Sequence, residues 1–453
     1  MILDQFKRSA LLRPMESFQI ALLEHGLSAL SRLLPHIETG DWQLKKPPSS
    51  RVTWGQRNQT IEMSVPIGAE NAFSVSCTLQ RLRTPKGVGS ISRTLDARER
   101  AICESIVRGL EVAFSDGPPR NRQAARALQA SFDQAVISDF LMHRYELGFD
   151  PYVILEEMRQ LAEQTYENKP LAFGILIEAG YEATSSDARP FPGDFLGRKR
   201  YRALSDGYYT AYSISRSGQL LEFENLSDPG RRTAPRSFFP QWCRDLALRS
   251  QGSCIAVCLT RHGDILILTE GSLRITYRRG RWQLWNHTHI VDLLRNAARV
   301  QRVPKTVIPT VVNAMYRAAV DVSFRRTGGM FVILRNRRNI RRLVRYADVI
   351  GHEERDELNA SFDDALPSTR IQKLPTPLTV ELAALDGAIV LANDGNLLAY
   401  GAVLVPRKRG EIDPEEGSRT KAAIGASNYG LVLKVSADGD MAVYLSGKEF
   451  FRI

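Results

Sequence analysis

Two short segments late in the chain carry residue types suited to nucleotide chemistry. Asp386-Gly387-Ala388 sits where an apolar, helix-like run, LTVELAAL, gives way to a strand-like one, IVL. A carboxylate at such a junction can hold a divalent metal or polarise a hydroxyl. The small residues after it would let a ligand or a second chain approach the backbone closely. A plain turn aspartate is the blander alternative. The second segment is Gly417-Ser418-Arg419-Thr420-Lys421, followed by the small-residue run Ala422 to Ser427. It joins two cations, two hydroxyls and free backbone N–H groups where a helix could open. Those are the components of a phosphate cradle. Arg407-Lys408-Arg409 adds charge just upstream. An exposed basic loop would have the same composition.

The elements that must position these residues belong to a chain of 453 residues, too long for one core, so two to four domains are expected. A hydrophobic share of 43% and a charged share of 25% argue against wholesale disorder. The formal net charge of +11 favours anionic partners: nucleotide phosphates, nucleic acid or an anionic surface. The cysteines Cys77, Cys103, Cys243, Cys254 and Cys258 are odd in number and scattered, which does not suggest a disulfide framework. Cys254 and Cys258 share a face of the strand-like CIAVC and read as buried apolar thiols rather than a metal pair. No run of apolar residues is long enough for a transmembrane helix, and the N-terminus lacks a signal-like pattern. A cytoplasmic protein with no membrane partner is expected.

The pattern along the chain predicts a mixed α/β, multidomain fold (α+β units in series). Residues 1–117 read as helix, antiparallel strands and a closing helix with Thr94 as its N-cap, an order similar to GAF-like sensor domains. Residues 118–167 read as a helical connector. Residues 168–297 read as a middle α/β regulatory domain and 298–453 as a C-terminal mixed sheet flanked by helices. His287 and His289 could bind a metal or simply serve a helix entry. Ile340, Leu343 and Val344 place an apolar stripe on a predicted helix over 335–345, whose arginines are either an anion-binding surface or a solvated face. Turns at Ser217-Gly218, His262-Gly263, Asp394-Gly395 and Asp438-Gly439 resemble one another. Their uneven spacing reads as recurrent turn chemistry rather than a repeat array.

The order of segments in the last 150 or so residues resembles the diadenylate cyclase (DAC) domain family. Thr327-Gly328-Gly329 leads into MFVIL; Asp386-Gly387-Ala388 opens an apolar hairpin; Gly417 to Ser427 precedes LVLKVSADGDMAV. The resemblance implies condensation of two ATP molecules to cyclic di-AMP and pyrophosphate, with Mg²⁺ or Mn²⁺ and with two such domains face to face in a homo-oligomer. It implies that Asp386 binds metal and activates the attacking ribose hydroxyl. Gly387, Ala388, Gly417, Ser418, Arg419, Thr420, Lys421 and Ser427 would bind nucleotide, and Asp438 would be a further metal-binding acid. The family's Arg-His-Arg falls on Arg419-Thr420-Lys421; its His before DGA is Leu385, and a common Glu is Asn428. These departures frame an alternative: a nucleotide-binding sensor with impaired catalysis. A nucleic-acid partner rests on charge alone.

Overall fold

The computed structural model describes residues 17–39, 43–45, 52–54, 61–67, 73–81, 95–115, 121–166, 168–183, 191, 204–227, 237–352, 369–405 and 417–453. Thr94 and the basic loop Arg407 to Arg409 lie outside them. The fold is mixed α/β, as the pattern predicts. Its residues form two compact units. Among the described residues, one comprises those up to Trp285 except Phe238–Trp242; the other comprises Phe238–Trp242 and Asn286–Ile453.

In the first unit, helix α1 (Ser17–Leu33) and helix α2 (Ala97–Ser115) bracket a small antiparallel sheet. Its strands are β1 (Ile37–Thr39), β2 (Gln43–Lys45), β3 (Val52–Trp54), β4 (Ile61–Ile67) and β5 (Phe73–Arg81). Leu23, Leu27, Leu30 and Leu34 recur at helical spacing and are all buried with Ile102, Ile106 and Leu110 of α2. The start of α2 is fixed by Asp96. Its carboxylate accepts from the N–H of Arg98 and Glu99, each at 2.9 Å, and Glu99 Oε2 accepts from Asp96 N at 2.7 Å. This is a reciprocal capping arrangement. Helices α3 (Arg122–Arg144) and α4 (Tyr152–Ala162) follow, then a short ribbon, β6 (Thr165–Tyr166) with β7 (Lys169–Pro170).

A seven-stranded sheet completes this unit. Its strands are β8 (Phe173–Glu178), β9 (Thr210–Ser215), β10 (Leu220–Asn225), β11 (Cys254–Leu259), β12 (Ile265–Thr269), β13 (Ser272–Arg278) and β14 (Arg281–Leu284). Their order is β10-β9-β8-β11-β12-β13-β14. Helix α5 (Arg244–Arg249) precedes β11. Cys254 and Cys258 are buried, free thiols, as their spacing predicts, and burial pushes both well above the usual thiol range.

The second unit begins with helices α6 (His287–Val300) and α7 (Ile308–Arg325). Its sheet contains β15 (Gly329–Leu334), β16 (Ala388–Leu391), β17 (Leu397–Ala402), β18 (Gly430–Val435), β19 (Met441–Leu445) and β20 (Lys448–Arg452), in the order β17-β16-β15-β18-β19-β20. Strand β15 pairs parallel with β16 and antiparallel with β18. Every residue of β15 is buried, as expected of a central strand covered on both faces. Helix α8 (Thr376–Ala384) leads into β16, and helix α9 (Ser418–Ser427) leads into β18.

One expectation, the helix over 335–345, is corrected here. The segment after β15 is a 3-10 turn, Arg337–Arg342, not an α-helix; Asn336 caps it by accepting from Arg338 N at 3.0 Å. The apolar stripe itself holds, since Ile340, Leu343 and Val344 are buried, but so short a stretch closes in one tight turn. His287 and His289 are buried at the start of α6, where Asn286 accepts from His289 N and His287 Nδ1 lies 2.8 Å from the Tyr316 hydroxyl. They serve the helix entry; among the described residues no three His, Cys, Asp or Glu side chains gather to hold a metal. No described helix is long and apolar enough to cross a membrane.

Candidate functional site

Helix α8 ends at Ala384, Leu385 turns extended, and Asp386 projects fully into solvent. Gly387 follows with φ +147°. A Cβ there would collide with the Gly401 backbone on the neighbouring strand β17. Ala388 is buried in the core that α9 covers. The junction is therefore small for a different reason from the one its sequence suggests. Gly387 makes room for β17 and Ala388 fills the core, so neither side chain position is open to a ligand. Of the three residues, Asp386 alone presents a functional group outward.

Helix α9 opens at Gly417, which is extended and has no side chain to cap the first N–H groups. Those groups have no partner within the helix. The first turn carries Arg419 and Lys421 and no acid. Cations at the positive end of a helix dipole are unfavourable unless an anion joins them. The arrangement can receive an anion at this end of the helix.

Arg419 reaches back to the α8–β16 junction. Its Nη2 lies 3.5 Å from Asp386 Oδ1. Its Nη1 rests against Gly328, where φ is +72° and any Cβ would strike the guanidinium. Thr327-Gly328-Gly329 is therefore the seat of this arginine. Gly329 is hemmed in as well, since a Cβ would come within 2.7 Å of the Ala383 carbonyl. Asp386, Arg419 and Gly328, far apart in sequence, converge on one corner.

The next residue adds a cation that sequence reading missed. Lys434 Nζ donates to Thr420 Oγ1 at 2.7 Å and stands 5.8 Å from the centre of the Tyr444 ring. Lys434 is the lone charge in the apolar strand LVLKV, and that was the available signal. Because Thr420 Oγ1 accepts from Lys434, the threonine's own O–H is left to donate elsewhere. Thr420 and Lys434 together supply the positive charge that Thr420 lacks alone.

Ser427 does not join this corner. It is buried at the far end of α9, about 12 Å along the helix from Arg419 at about 1.5 Å per residue. Its hydroxyl donates to Ile424 O at 2.8 Å and accepts from Gly447 N at 2.8 Å, fastening the β19–β20 turn. Asn428 is its neighbour and donates to the Gly425 carbonyl at 3.2 Å, a helix-end role. Asp438 is exposed in the turn after β18, beside Ala437, whose backbone N borders Gly328. Ser323 of α7 holds that turn by donating to Gly439 O.

Beneath the corner, Arg325 ties α7 to α8: its Nη1 donates to Glu381 at 2.5 Å and its Nε lies 3.5 Å from Asp321. Burial drives the Asp321 carboxyl above its usual range, and Arg325 only partly offsets this. At the sheet edge, burial would raise Glu449, but the hydrogen bonds and charge of Arg452, with Tyr444 and Lys434, together outweigh it and hold the carboxyl below its usual range.

No protein-family model matches the chain, and no curated protein matches it. Among solved structures, one described as a hypothetical membrane spanning protein from Bacillus cereus aligns at 21% identity over 36% of this chain and 74% of its own, with a TM-score of 0.25. DacA from Staphylococcus aureus, solved as a double mutant, aligns at 20% identity over 33% of this chain and 89% of its own, with a TM-score of 0.22. At these scores the likeness is too distant to assign chemistry.

Proposed function

We propose that the C-terminal unit is a nucleotide-handling domain of the diadenylate cyclase type, joining two ATP molecules into cyclic di-AMP and pyrophosphate. The observation that carries this reading is the meeting of Asp386 with Arg419 at 3.5 Å beside the uncapped start of α9. A base and a phosphate ligand are what the reaction needs side by side. Each ribose 3′-oxygen forms a bond to the other nucleotide's α-phosphorus. The α–β anhydride bond breaks, pyrophosphate leaves, and the hydroxyl proton passes to Asp386. Arg419, Lys421 and the Thr420–Lys434 pair neutralise triphosphate charge.

Bound Mg²⁺ or Mn²⁺ would further offset the charge on the phosphates and the leaving pyrophosphate. Asp386, with Asp438 as a second carboxylate, suits a metal held by one or two acids and completed by phosphate oxygens. The reaction needs two such units face to face, so the working form is a homo-oligomer. Upstream residues regulate it, and the protein works in the cytoplasm.

The test is incubation of the purified protein with ATP and Mn²⁺, with products read by mass spectrometry. Cyclic di-AMP from wild type and none from Asp386→Asn supports the reading. A second reading, a nucleotide-binding sensor without turnover, is favoured by one observation: Thr420 is engaged by Lys434 where the resembled family places a histidine. ATP binding without any cyclic product would select it.

A further inference from the structure

We propose that the chain carries its C-terminal fold twice, and that only the second copy handles nucleotide. The inference rests on the nucleotide reading of the C-terminal unit. The first observation is topology. Strands β10-β9-β8-β11-β12-β13 repeat the order β17-β16-β15-β18-β19-β20. In each sheet the third strand along this order pairs parallel with the second, β8 with β9 and β15 with β16, and antiparallel with the fourth. Two helices precede the first strand in chain order of each, α3 and α4 before β8, α6 and α7 before β15.

Topology alone could recur by chance, since few arrangements satisfy chain connectivity. The turns repeat in more detail than topology requires. After α3, Glu146 has φ +51° and Leu147 N donates to Met142 O at 2.9 Å; after α6, Arg302 has φ +59° and Val303 N donates to Ala298 O at 3.2 Å. In the hairpin after β9, Ser215 N donates to Gln219 O at 2.8 Å and Gly218 N to Ser215 O at 3.0 Å. After β16, Ala392 N donates to Asn396 O at 2.9 Å and Gly395 N to Ala392 O at 3.0 Å. After β11, the Thr260 hydroxyl accepts from Asp264 N at 3.1 Å; after β18, the Ser436 hydroxyl accepts from Asp440 N at 3.1 Å. Ser250 and Ser427 each end the helix before the fourth strand, each donates to the carbonyl three residues earlier, and each backbone carbonyl accepts from the next hairpin turn. Between Gly218 and Gly395, and between Gly263 and Gly439, the offset stays constant to within one residue. The four similar turns are therefore two pairs of equivalents, not merely recurrent turn chemistry. The helices α3 and α4 belong to the first copy rather than to a connector, and the second copy begins with α6.

Equivalent positions then show what the first copy has lost. Ile175 pairs with Tyr212 as Phe331 pairs with Ile389, which places Tyr209 where the second copy has Asp386. Counting back from Ser250 and Ser427 places Trp242 at Arg419 and Cys243 at Thr420. Gly174 faces Cys258 as Met330 faces Lys434, so a buried thiol replaces that lysine. An acid, a guanidinium, a hydroxyl and an ammonium have become a phenol, an indole and two thiols. At these four described positions the first copy keeps the scaffold and offers no charged group to cradle a triphosphate. A reaction that consumes two ATP cannot draw both from one chain; the second comes with another copy of this protein.

The test is titration of ATP into the full-length wild type, Arg419→Ala and Tyr209→Ser. Tyr209 is 66% exposed, so its replacement leaves the core intact. The expected result is one ATP per chain, an affinity loss of roughly ten- to a hundredfold in Arg419→Ala, and no change in Tyr209→Ser. Two ATP per chain, or one that survives Arg419→Ala and weakens in Tyr209→Ser, would overturn the inference while leaving a nucleotide protein. Wild type that binds no ATP, with or without Mn²⁺, would overturn the nucleotide reading itself, and the inference with it.

Discussion

Arg419 Nη2 stands 3.5 Å from Asp386 Oδ1, so the carboxylate is the counter-anion of the arginine before any phosphate arrives. ATP must compete with it. Asp386 is fully exposed and touches no core residue, so Asp386→Asn should keep the melting temperature of wild type. Without divalent metal the variant should bind ATP a few-fold more tightly, because a competing negative charge is gone. With Mn²⁺ it should bind more weakly and form no cyclic product. Titrations with and without metal check the crossing of the two effects; parallel affinities in both conditions would remove Asp386 from the site.

Arg419 can engage two phosphate oxygens at once. A charge-assisted hydrogen bond contributes about 1.5–3 kcal/mol. Arg419→Ala should then weaken ATP binding by roughly one to two decades, at about 1.4 kcal/mol per decade. Gly328→Ala should mimic part of this loss, because its Cβ would push the guanidinium off its seat. Calorimetric titration of both variants measures it, and wild-type affinity in Arg419→Ala would reduce the loop to a solvated basic turn.

The resemblance implies that a histidine at 420 would leave ATP binding similar or tighter. Lys434 argues otherwise, since it already donates to Thr420 at 2.7 Å. A histidine placed there would face an ammonium and resist protonation. Thr420→His alone should weaken ATP binding, and Thr420→His with Lys434→Val should recover it. The pair is in contact, so the cycle should be strongly non-additive. Additive losses would show that Lys434 acts independently of Thr420.

Asp321 is wholly buried in α7, and burial raises its carboxyl above the usual range. The native state therefore holds this proton at pH values where the unfolded chain has released it. Stability falls as pH rises from the unfolded value, about 3.9, through the raised native one. Asp321→Asn should flatten that fall. It should raise stability near neutral pH, where the native carboxyl is ionised against its burial, and match wild type in acid. Denaturant midpoints across pH decide it; equal slopes for both proteins would mean Arg325 fully compensates the charge.

What was legible in the sequence was local. The apolar run of β15, the hairpin at Asp394-Gly395 and the Asp386 junction follow from periodicity and turn chemistry within a dozen residues. What was not legible depends on partners far away in the chain. Lys434 reads as a stray charge until Thr420 is placed above it. Gly387 reads as open space until Gly401 fills it. Ser427 reads as a phosphate ligand until Gly447 claims its hydroxyl. The repeated fold was hidden because its two copies preserve turns, which many sequences can make, and not side chains.

The two helix-end serines give the last expectation. Ser250 and Ser427 are both buried, and each hydroxyl satisfies the carbonyl three residues earlier, at 3.0 and 2.8 Å. The hydroxyl of Ser427 also accepts from Gly447 N at 2.8 Å, whereas the turn after β12 reaches Ser250 through its backbone carbonyl, from Gly271 N at 3.2 Å. Ser427→Ala strands the part-buried N–H of Gly447, whereas Ser250→Ala strands no such donor. The added loss is about 1 kcal/mol, that of an ordinary hydrogen bond. Ser427→Ala should therefore destabilise its copy more than Ser250→Ala destabilises the other. Neither should change ATP affinity, since Arg419 at the start of α9 lies about 12 Å along the helix from Ser427. Chemical denaturation followed by hydrogen exchange at Gly447 and Gly271 separates the two losses. A nucleotide affinity that fell with Ser427→Ala would return this serine to the site from which the geometry removes it.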